Sequence, residues 1–195
     1  MATLGFALEW ESFPDGVRLD GKTFKAQTPR RFPFRLDVEN LEDPLVVQFI
    51  NARTDEERKA FFVKYGFPKG GGSYPRADAL RDQANLKKWL KLAGSESLAG
   101  SESSEEITKI FNRAEFWPTM TPSLDGRHLM LQVPRLHDLM LMEIVWAAQS
   151  GVRFSACEHC QTVFLTGPLT KRRSHAVFCS PRCRMAATRA RQAEE

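Results

Sequence analysis

Four cysteines in two close pairs near the carboxyl end constrain this chain more than any other feature. Cys157 and Cys160 are separated by two residues, and Cys179 and Cys183 by three. Because each short loop lets two thiolates approach one ion to about 2.3 Å, this spacing is typical of a tetrahedral zinc site. Two disulfides or four buried free thiols are the alternatives. We predict that zinc is the cofactor and that all four cysteines bind it.

The remainder of the sequence favours a reducing environment for these thiols. No apolar run approaches the roughly 18 residues of a membrane span, and no basic segment precedes the first apolar residues as in a secretory signal. We therefore expect a cytoplasmic protein with no membrane partner. Cytosolic thiols stay reduced, so paired cysteines there indicate a metal site rather than disulfides. His159 and His175 are nearby alternative ligands, but four thiolates already complete the site and leave no position for a catalytic water.

Size and composition indicate a larger domain followed by a small module. The chain has 195 residues, of which 42% are hydrophobic and 27% charged, the balance of an ordinary soluble globular protein. We predict an α+β fold in which residues 1–151 form a mainly helical domain with a few antiparallel strands. Residues 152–195 form a zinc-binding module. Because about 40 residues seldom bury enough surface to fold alone, the metal would stabilise this module.

Turn and capping residues divide the first part of the larger domain. Alternating apolar residues on either side of Asp20-Gly21 predict a hairpin of two short strands within residues 1–36. Pro44 fits the first turn of a short apolar helix. Thr54 is followed three residues later by Glu57, the pattern of a capping box, so a second helix begins there.

Glycine-rich segments separate the next elements. The glycine cluster within residues 68–75 lacks the lysine and hydroxyl residue of a phosphate-binding loop, so we interpret this segment as a flexible connection. Helical spacing of apolar residues predicts a helix over 76–92. The Gly/Ser/Glu repeat in 93–103 cannot bury a core and indicates a loop. Ser104 is a candidate cap for a further helix.

The last part of the larger domain contains its most apolar stretch. A turn signal at 124–127 precedes a predicted strand over 128–133. The segment 135–149 is apolar nearly all round a helix, so we expect it to be the central buried helix. Only a few residues then separate it from Cys157, which predicts a module held firmly against the domain.

Within the module, the first cysteine pair predicts a knuckle turn followed by a strand over 162–165, with a second strand over 176–178. Ser180 can cap a helix whose first turn holds Pro181 and Cys183. Two strands leading to a helix whose first turn carries the last ligand is the layout of a treble-clef-like zinc finger.

Positive charge is concentrated around the cysteines. Residues 151–195 carry eight Lys or Arg and three Glu, a net charge of +5, whereas residues 1–150 carry 20 basic and 21 acidic residues, a net charge of −1. No acidic residue occurs between 171 and 191. The basic residues that we predict to contact nucleic acid are Lys171, Arg172, Arg173, Arg182, Arg184, Arg189 and Arg191.

These residues suit the phosphate backbone of DNA. Arg184 and Arg191 are seven residues apart and share one face of the predicted helix. By the same spacing, Arg182 and Arg189 share a face that we take to be the neighbouring one. The alternatives are a solvated basic tail, arginines paired with acidic groups of the larger domain, or a module that docks on an acidic protein partner.

The pattern as a whole resembles the CGNR zinc finger of bacterial proteins. The resemblance covers about 40 residues, namely the first cysteine pair, Phe164, Arg172-Arg173, Phe178-Cys179-Ser180, Cys183-Arg184 and the Ala/Arg-rich helix that follows. In that family the finger follows a helical domain called ABATE, and the proteins are regarded as stress-induced transcription regulators. The resemblance implies zinc, DNA binding and an ABATE-like domain with a possible small-molecule effector. Arg184 and Met185 stand here where the family has Gly-Asn.

The sequence offers little support for an enzyme. His137 and Asp138 are adjacent and so point in different directions on a helix. No nucleophile motif accompanies them. We therefore expect a non-enzymatic protein.

Overall fold

The computed structural model describes residues 5–26, 28, 30–37, 41–94, 105, 108–109, 112–115, 117–119 and 130–193. Its fold is α+β, as the sequence predicts. The helices in this part of the chain are α1 (Leu45–Asn51), α2 (Asp55–Tyr65), α3 (Arg76–Ala93), α4 (Leu136–Gln149) and α5 (Pro181–Ala193). The strands are β1 (Gly5–Ser12), β2 (Val17–Asp20), β3 (Thr23–Ala26), β4 (Arg30–Asp37), β5 (Ser73–Pro75), β6 (Trp117–Thr119), β7 (Met130–Gln132), β8 (Arg153–Ala156) and β9 (Val163–Thr166).

The strands form three sheets. One has the order β4-β1-β7-β6, in which β1 and β7 are parallel and the other neighbours antiparallel. The second has the order β2-β3-β5, and the third is the β8-β9 pair. The predicted hairpin within residues 1–36 is present, but the sequence reasoning missed β1 and β4, which pair with each other on either side of it. Pro33 weakens the strand signal of β4, but β4 is an edge strand, where proline is tolerated.

Several turns and helix ends lie where the sequence predicts them. The hairpin at Asp20-Gly21 joins β2 to β3, and Pro44 precedes the first residue of α1. The Thr54 side chain accepts from the Glu57 amide and the Glu57 side chain accepts from the Thr54 amide, which completes the capping box of α2. Gly66 ends α2, where a Cβ would clash with the backbone carbonyl oxygen of Glu11.

The sequence suggested that the segment 68–75 is only a connection, but its last three residues form a strand. Residues 73–75 form β5 and pair with β3, so that Tyr74 lies opposite Phe24. Tyr74 is buried, and its hydroxyl donates to the buried carboxylate of Asp82. The Tyr74 ring packs against Phe62 of α2 and against Phe67, which gives this strand an apolar contact despite the glycines before it.

Phenylalanines form the centre of the larger domain. Phe62 is fully buried and has five aromatic rings within 6.1 Å of its own, centroid to centroid. Those five rings belong to Phe24, Phe49, Phe61, Phe67 and Tyr74. The cluster joins α1, α2 and the β2-β3-β5 sheet into one core.

Helix α4 is the central helix, as predicted, and packs against α1 and α3. Its surface is not uniformly apolar, however, because Asp138 and Glu143 are also buried. Both oxygens of Glu143 accept backbone hydrogen bonds at the start of α1, from Leu45 at 2.9 Å and Val46 at 2.8 Å. A carboxylate of α4 thus caps a different helix, a role that periodicity along α4 could not reveal.

Three predictions fall wholly or mostly outside the described residues. They are the loop over 93–103, the helix capped by Ser104 and the turn at 124–127. The strand predicted over 128–133 is described in part, as β7. Among the helices of the described ranges, none has the length and apolar character needed to cross a membrane.

Candidate metal centre

The four cysteine sulfurs converge on one point. The Sγ atom of Cys179 lies 3.6 Å from that of Cys160 and 3.5 Å from that of Cys183, and Cys160 and Cys183 are 3.7 Å apart. All four sulfurs, that of Cys157 included, lie within 4.8 Å of one another. Neither His159 nor His175 belongs to this cluster. The four cysteines are therefore positioned to hold a metal ion.

These distances fit a tetrahedral metal site. With metal–sulfur bonds of about 2.3 Å, the sulfurs of a tetrahedron are separated by about 3.8 Å. The three measured separations of 3.5 to 3.7 Å are close to that edge. They are far longer than the roughly 2.05 Å of a disulfide bond, and all four cysteines are free thiols.

Two local structures bring the cysteines together. In the first, the chain turns tightly after Cys157, whose carbonyl accepts from the Gln161 amide at 2.8 Å, and Gln161 adopts a left-handed φ of 60°. In the second, the Ser180 hydroxyl accepts from the Cys183 amide at 3.3 Å, which places that cysteine in the first turn of α5. The predicted knuckle and the predicted helix start are both present.

Hydrogen bonds and burial give the thiols different acidities. The hydroxyl and the amide of Thr162 donate to the Cys160 thiolate and lower its pKa to about 6. Burial first, and then the neighbouring cysteine sulfurs, raise the pKa of Cys179 to about 12. Burial also opposes ionisation of Cys157, but backbone amides outweigh it and lower the pKa. Because like charges at these separations repel strongly, four thiolates together require a cation.

The strand expected over 176–178 is absent from the module, which the structure describes up to residue 193. The partner of β9 is instead β8, which lies before the first cysteine and pairs with β9 in antiparallel register. Residues 176–178 run back to the second cysteine pair without a strand, and the Val177 carbonyl accepts from the Glu158 amide at 3.1 Å. The backbone groups of β9 thus form their hydrogen bonds with β8, and not with residues 176–178 as the sequence predicted.

Residues of the larger domain hold the metal loop, residues 157–163, in place. The Asn51 side chain donates to the carbonyl of Val163 and accepts from its amide, both at 2.8 Å. The guanidinium of Arg53 donates to the carbonyl of Cys160 at 3.0 Å. These residues are more than 100 positions apart in the chain, so no local pattern could have identified Asn51 or Arg53.

Two of the predicted nucleic-acid contacts face the larger domain. The Lys171 ammonium lies 2.7 Å from the carboxylate of Glu42. The Arg172 guanidinium donates to the Glu42 carbonyl at 3.2 Å and lies over the Phe164 ring at 5.6 Å. This arrangement matches the alternative in which basic residues pair with the first domain.

The other five basic residues are exposed. Arg173 directly follows Lys171 and Arg172, the two residues that contact Glu42. The other four are arginines of α5. A weak contact of 3.8 Å joins Arg191 to Glu158. Within the described ranges, no carboxylate oxygen lies within 4.0 Å of the basic groups of Arg173, Arg182, Arg184 or Arg189.

The helical positions of the arginines differ from the sequence interpretation. At about 100° per residue, Arg182 and Arg184 are about 200° apart around the axis of α5. The pair Arg182 and Arg189 therefore lies on nearly the opposite side from the pair Arg184 and Arg191, and not on a neighbouring face. One flat surface cannot contact both pairs at once.

Comparisons of the chain with protein-family models, with curated proteins and with solved structures find no match.

Proposed function

We propose that the four cysteines bind zinc in a closed structural site of a treble-clef-like module. Four thiolates at tetrahedral spacing favour zinc or an iron–sulfur centre among biological metals. Zinc suits the single point of convergence of the sulfurs and requires no redox chemistry. With four protein ligands there is no open position for substrate, so a structural role follows and the protein is proposed not to be a zinc enzyme.

Elemental analysis of the purified chain tests this proposal. We expect about one zinc per chain, and loss of the zinc in the Cys160→Ser and Cys179→Ser variants. Ser174→Ala is the matched control, because this exposed side chain lies between the cysteine pairs and outside the sulfur cluster. Iron with a visible charge-transfer absorption, or a metal-free chain that keeps the module folded, would contradict a zinc site.

We further propose that the module binds DNA and that the protein is a transcription regulator. The observation that carries this proposal is the surface of α5. This helix of 13 residues has no buried residue, although its amino-terminal turn is fixed by a metal ligand. It carries four arginines and no acidic residue. A fixed basic helix whose arginines are all exposed suits a polyanionic partner better than a role inside the protein.

A transcription regulator agrees with the resemblance to CGNR finger proteins, in which the finger follows an ABATE domain. We propose by the same resemblance that residues 1–151 respond to a signal or small-molecule effector. The contacts of Asn51 and Arg53 with the metal loop offer a physical route between that domain and the module.

Binding of a duplex as a function of salt tests the DNA proposal. Each neutralised phosphate should contribute a slope of about −0.9 in log K against log salt. We expect steep salt dependence for the wild type, and loss of binding when Arg184 and Arg191 are both changed to Glu. Lys22→Glu is a control, since this exposed lysine lies in the β2-β3 turn of the larger domain. No retention of DNA at low salt would overturn the proposal, and binding of only an acidic protein would favour an interaction module.

A further inference from the structure

The faces of α5 are chemically distinct. The half-buried residues of the helix are Cys183, Ala186 and Ala187, which mark the side turned towards the metal. At about 100° per residue, the opposite side carries Met185, Thr188 and Gln192. These three residues follow the i, i+3, i+7 pattern and are exposed, Met185 to 53%. The helix thus presents an uncharged outer stripe, Met185-Thr188-Gln192, to the surroundings.

Arginines flank this stripe on both sides. At about 100° per residue, Arg182 and Arg189 lie on average about 80° from the centre of the stripe on one side, and Arg184 and Arg191 lie about 80° from it on the other. Placing charge on opposite flanks is poorly suited to a helix laid flat on one backbone. Charge on both flanks suits a helix that lies between two negatively charged surfaces.

We propose that α5 lies in the major groove of duplex DNA and that Met185, Thr188 and Gln192 contact base edges. This inference rests on the proposed DNA binding and adds sequence specificity to it. An α-helix with its side chains is about 10–12 Å across and the major groove is about 12 Å wide. In this position the two arginine pairs reach the phosphates of the two strands, while the outer stripe faces the groove floor.

The side chains of the stripe have defined preferences. A glutamine amide can donate to N7 and accept from N6 of adenine, and methyl groups contact the methyl of thymine. The Thr188 hydroxyl already donates to the Arg184 carbonyl at 3.1 Å, so its methyl group is the part offered to a base. Together with the thioether of Met185, this favours a site that contains A·T pairs, with Gln192 contacting adenine.

Selection of binding sites from a pool of random duplexes tests this inference with the full-length, metal-loaded protein. We expect the wild type to enrich a site that contains A·T pairs. Gln192→Ala should reduce the preference at one base position by about tenfold and leave the salt slope unchanged. Arg189→Ala should weaken binding to all sequences alike and reduce the slope by about 0.9. Gln149→Ala, an exposed glutamine at the end of α4, is the matched control.

The outcomes separate this inference from the function on which it rests. Salt-dependent binding with no enriched sequence would overturn base recognition and leave DNA binding intact. Equal effects of Gln192→Ala at every base position would also overturn it, since the residue would then act only on general affinity. Absence of any binding to duplex DNA would overturn both proposals.

Discussion

The core of the larger domain and the helix of the metal module are stabilised in opposite ways. Phe62 is surrounded by five aromatic rings, whereas α5 buries no residue at all. Burial of apolar surface orders the first region, and we propose that coordination of one ion orders the second. On this proposal, a metal takes the place of hydrophobic contacts and leaves the surface of α5 free for a partner.

The β8-β9 hairpin lies between these extremes. Val163, Phe164 and Leu165 are buried, and Val163 and Leu165 belong to the same apolar cluster as α1 and α4. The hairpin is therefore stabilised by apolar burial, like the larger domain, although it adjoins the first cysteine pair. Changes to the core, to the hairpin contact and to the surface of the module should therefore differ in size, in that order.

The largest effect is expected at the aromatic core. Phe62→Ala removes a fully buried ring and should lower the free energy of unfolding by about 3–5 kcal/mol. Urea unfolding followed by tryptophan fluorescence measures this loss. Leu80→Ala is the control, because 41% of that side chain is exposed and its loss should cost well under 1 kcal/mol. Equal effects of the two changes would contradict a core centred on Phe62.

The buried carboxyl of Glu143 should make stability depend on pH. Burial raises its pKa to about 7, although the amides of Val46 and Leu45 oppose the rise. A carboxyl whose pKa is raised on folding stabilises the protein most at low pH, below its unfolded pKa of about 4.3. That contribution is lost as pH rises from about 4.3 through 7, by about 4 kcal/mol in all.

Comparison with Glu143→Gln isolates this carboxyl from the cysteines and other acids. Between pH 5 and pH 8, the wild type should lose about 2.5 kcal/mol of unfolding free energy relative to the variant. Denaturant unfolding at several pH values measures the difference. A difference that stays constant with pH would show that Glu143 does not titrate in this range.

A smaller effect is expected where the larger domain meets the hairpin. A Cβ on Gly94 would clash with the backbone nitrogen of Phe154, so α3 and β8 would have to separate. Gly94→Ala should cost about 1–3 kcal/mol, the usual range for overpacking. Gly72→Ala is the control, since nothing lies within 4 Å of a Cβ there and φ is not left-handed. Thermal unfolding with metal bound should show the larger loss for Gly94→Ala.

The smallest effect is expected from the ion pair on the surface. Lys171 and Glu42 are 2.7 Å apart but 73% and 42% exposed, so the pair should contribute less than about 1 kcal/mol. Lys171→Met should therefore change stability little, and its effect should shrink further at high salt. A loss above about 2 kcal/mol would mean that the docking of the module depends on this charge.

Local chemistry explains which features could be predicted from sequence. The capping box at Thr54, the start of α1 after Pro44 and the convergence of the cysteines depend on residues close in the chain or on a ligand set of fixed spacing. The roles of Glu143 and Asn51 depend on partners about 100 positions away, so they followed only from the structure. The strand at 176–178 was predicted wrongly because β-propensity does not specify which segment pairs with β9.

Hydrogen exchange with and without metal tests the central claim, that coordination alone orders the basic helix. We predict that chelation will remove protection from amides of residues 183–193 in α5, while amides of α2 and α4 in the core of the larger domain keep theirs. Restoring zinc should restore protection of α5. If α5 stays protected in the metal-free protein, or if the core loses protection with it, the helix is not ordered by the metal in the way proposed.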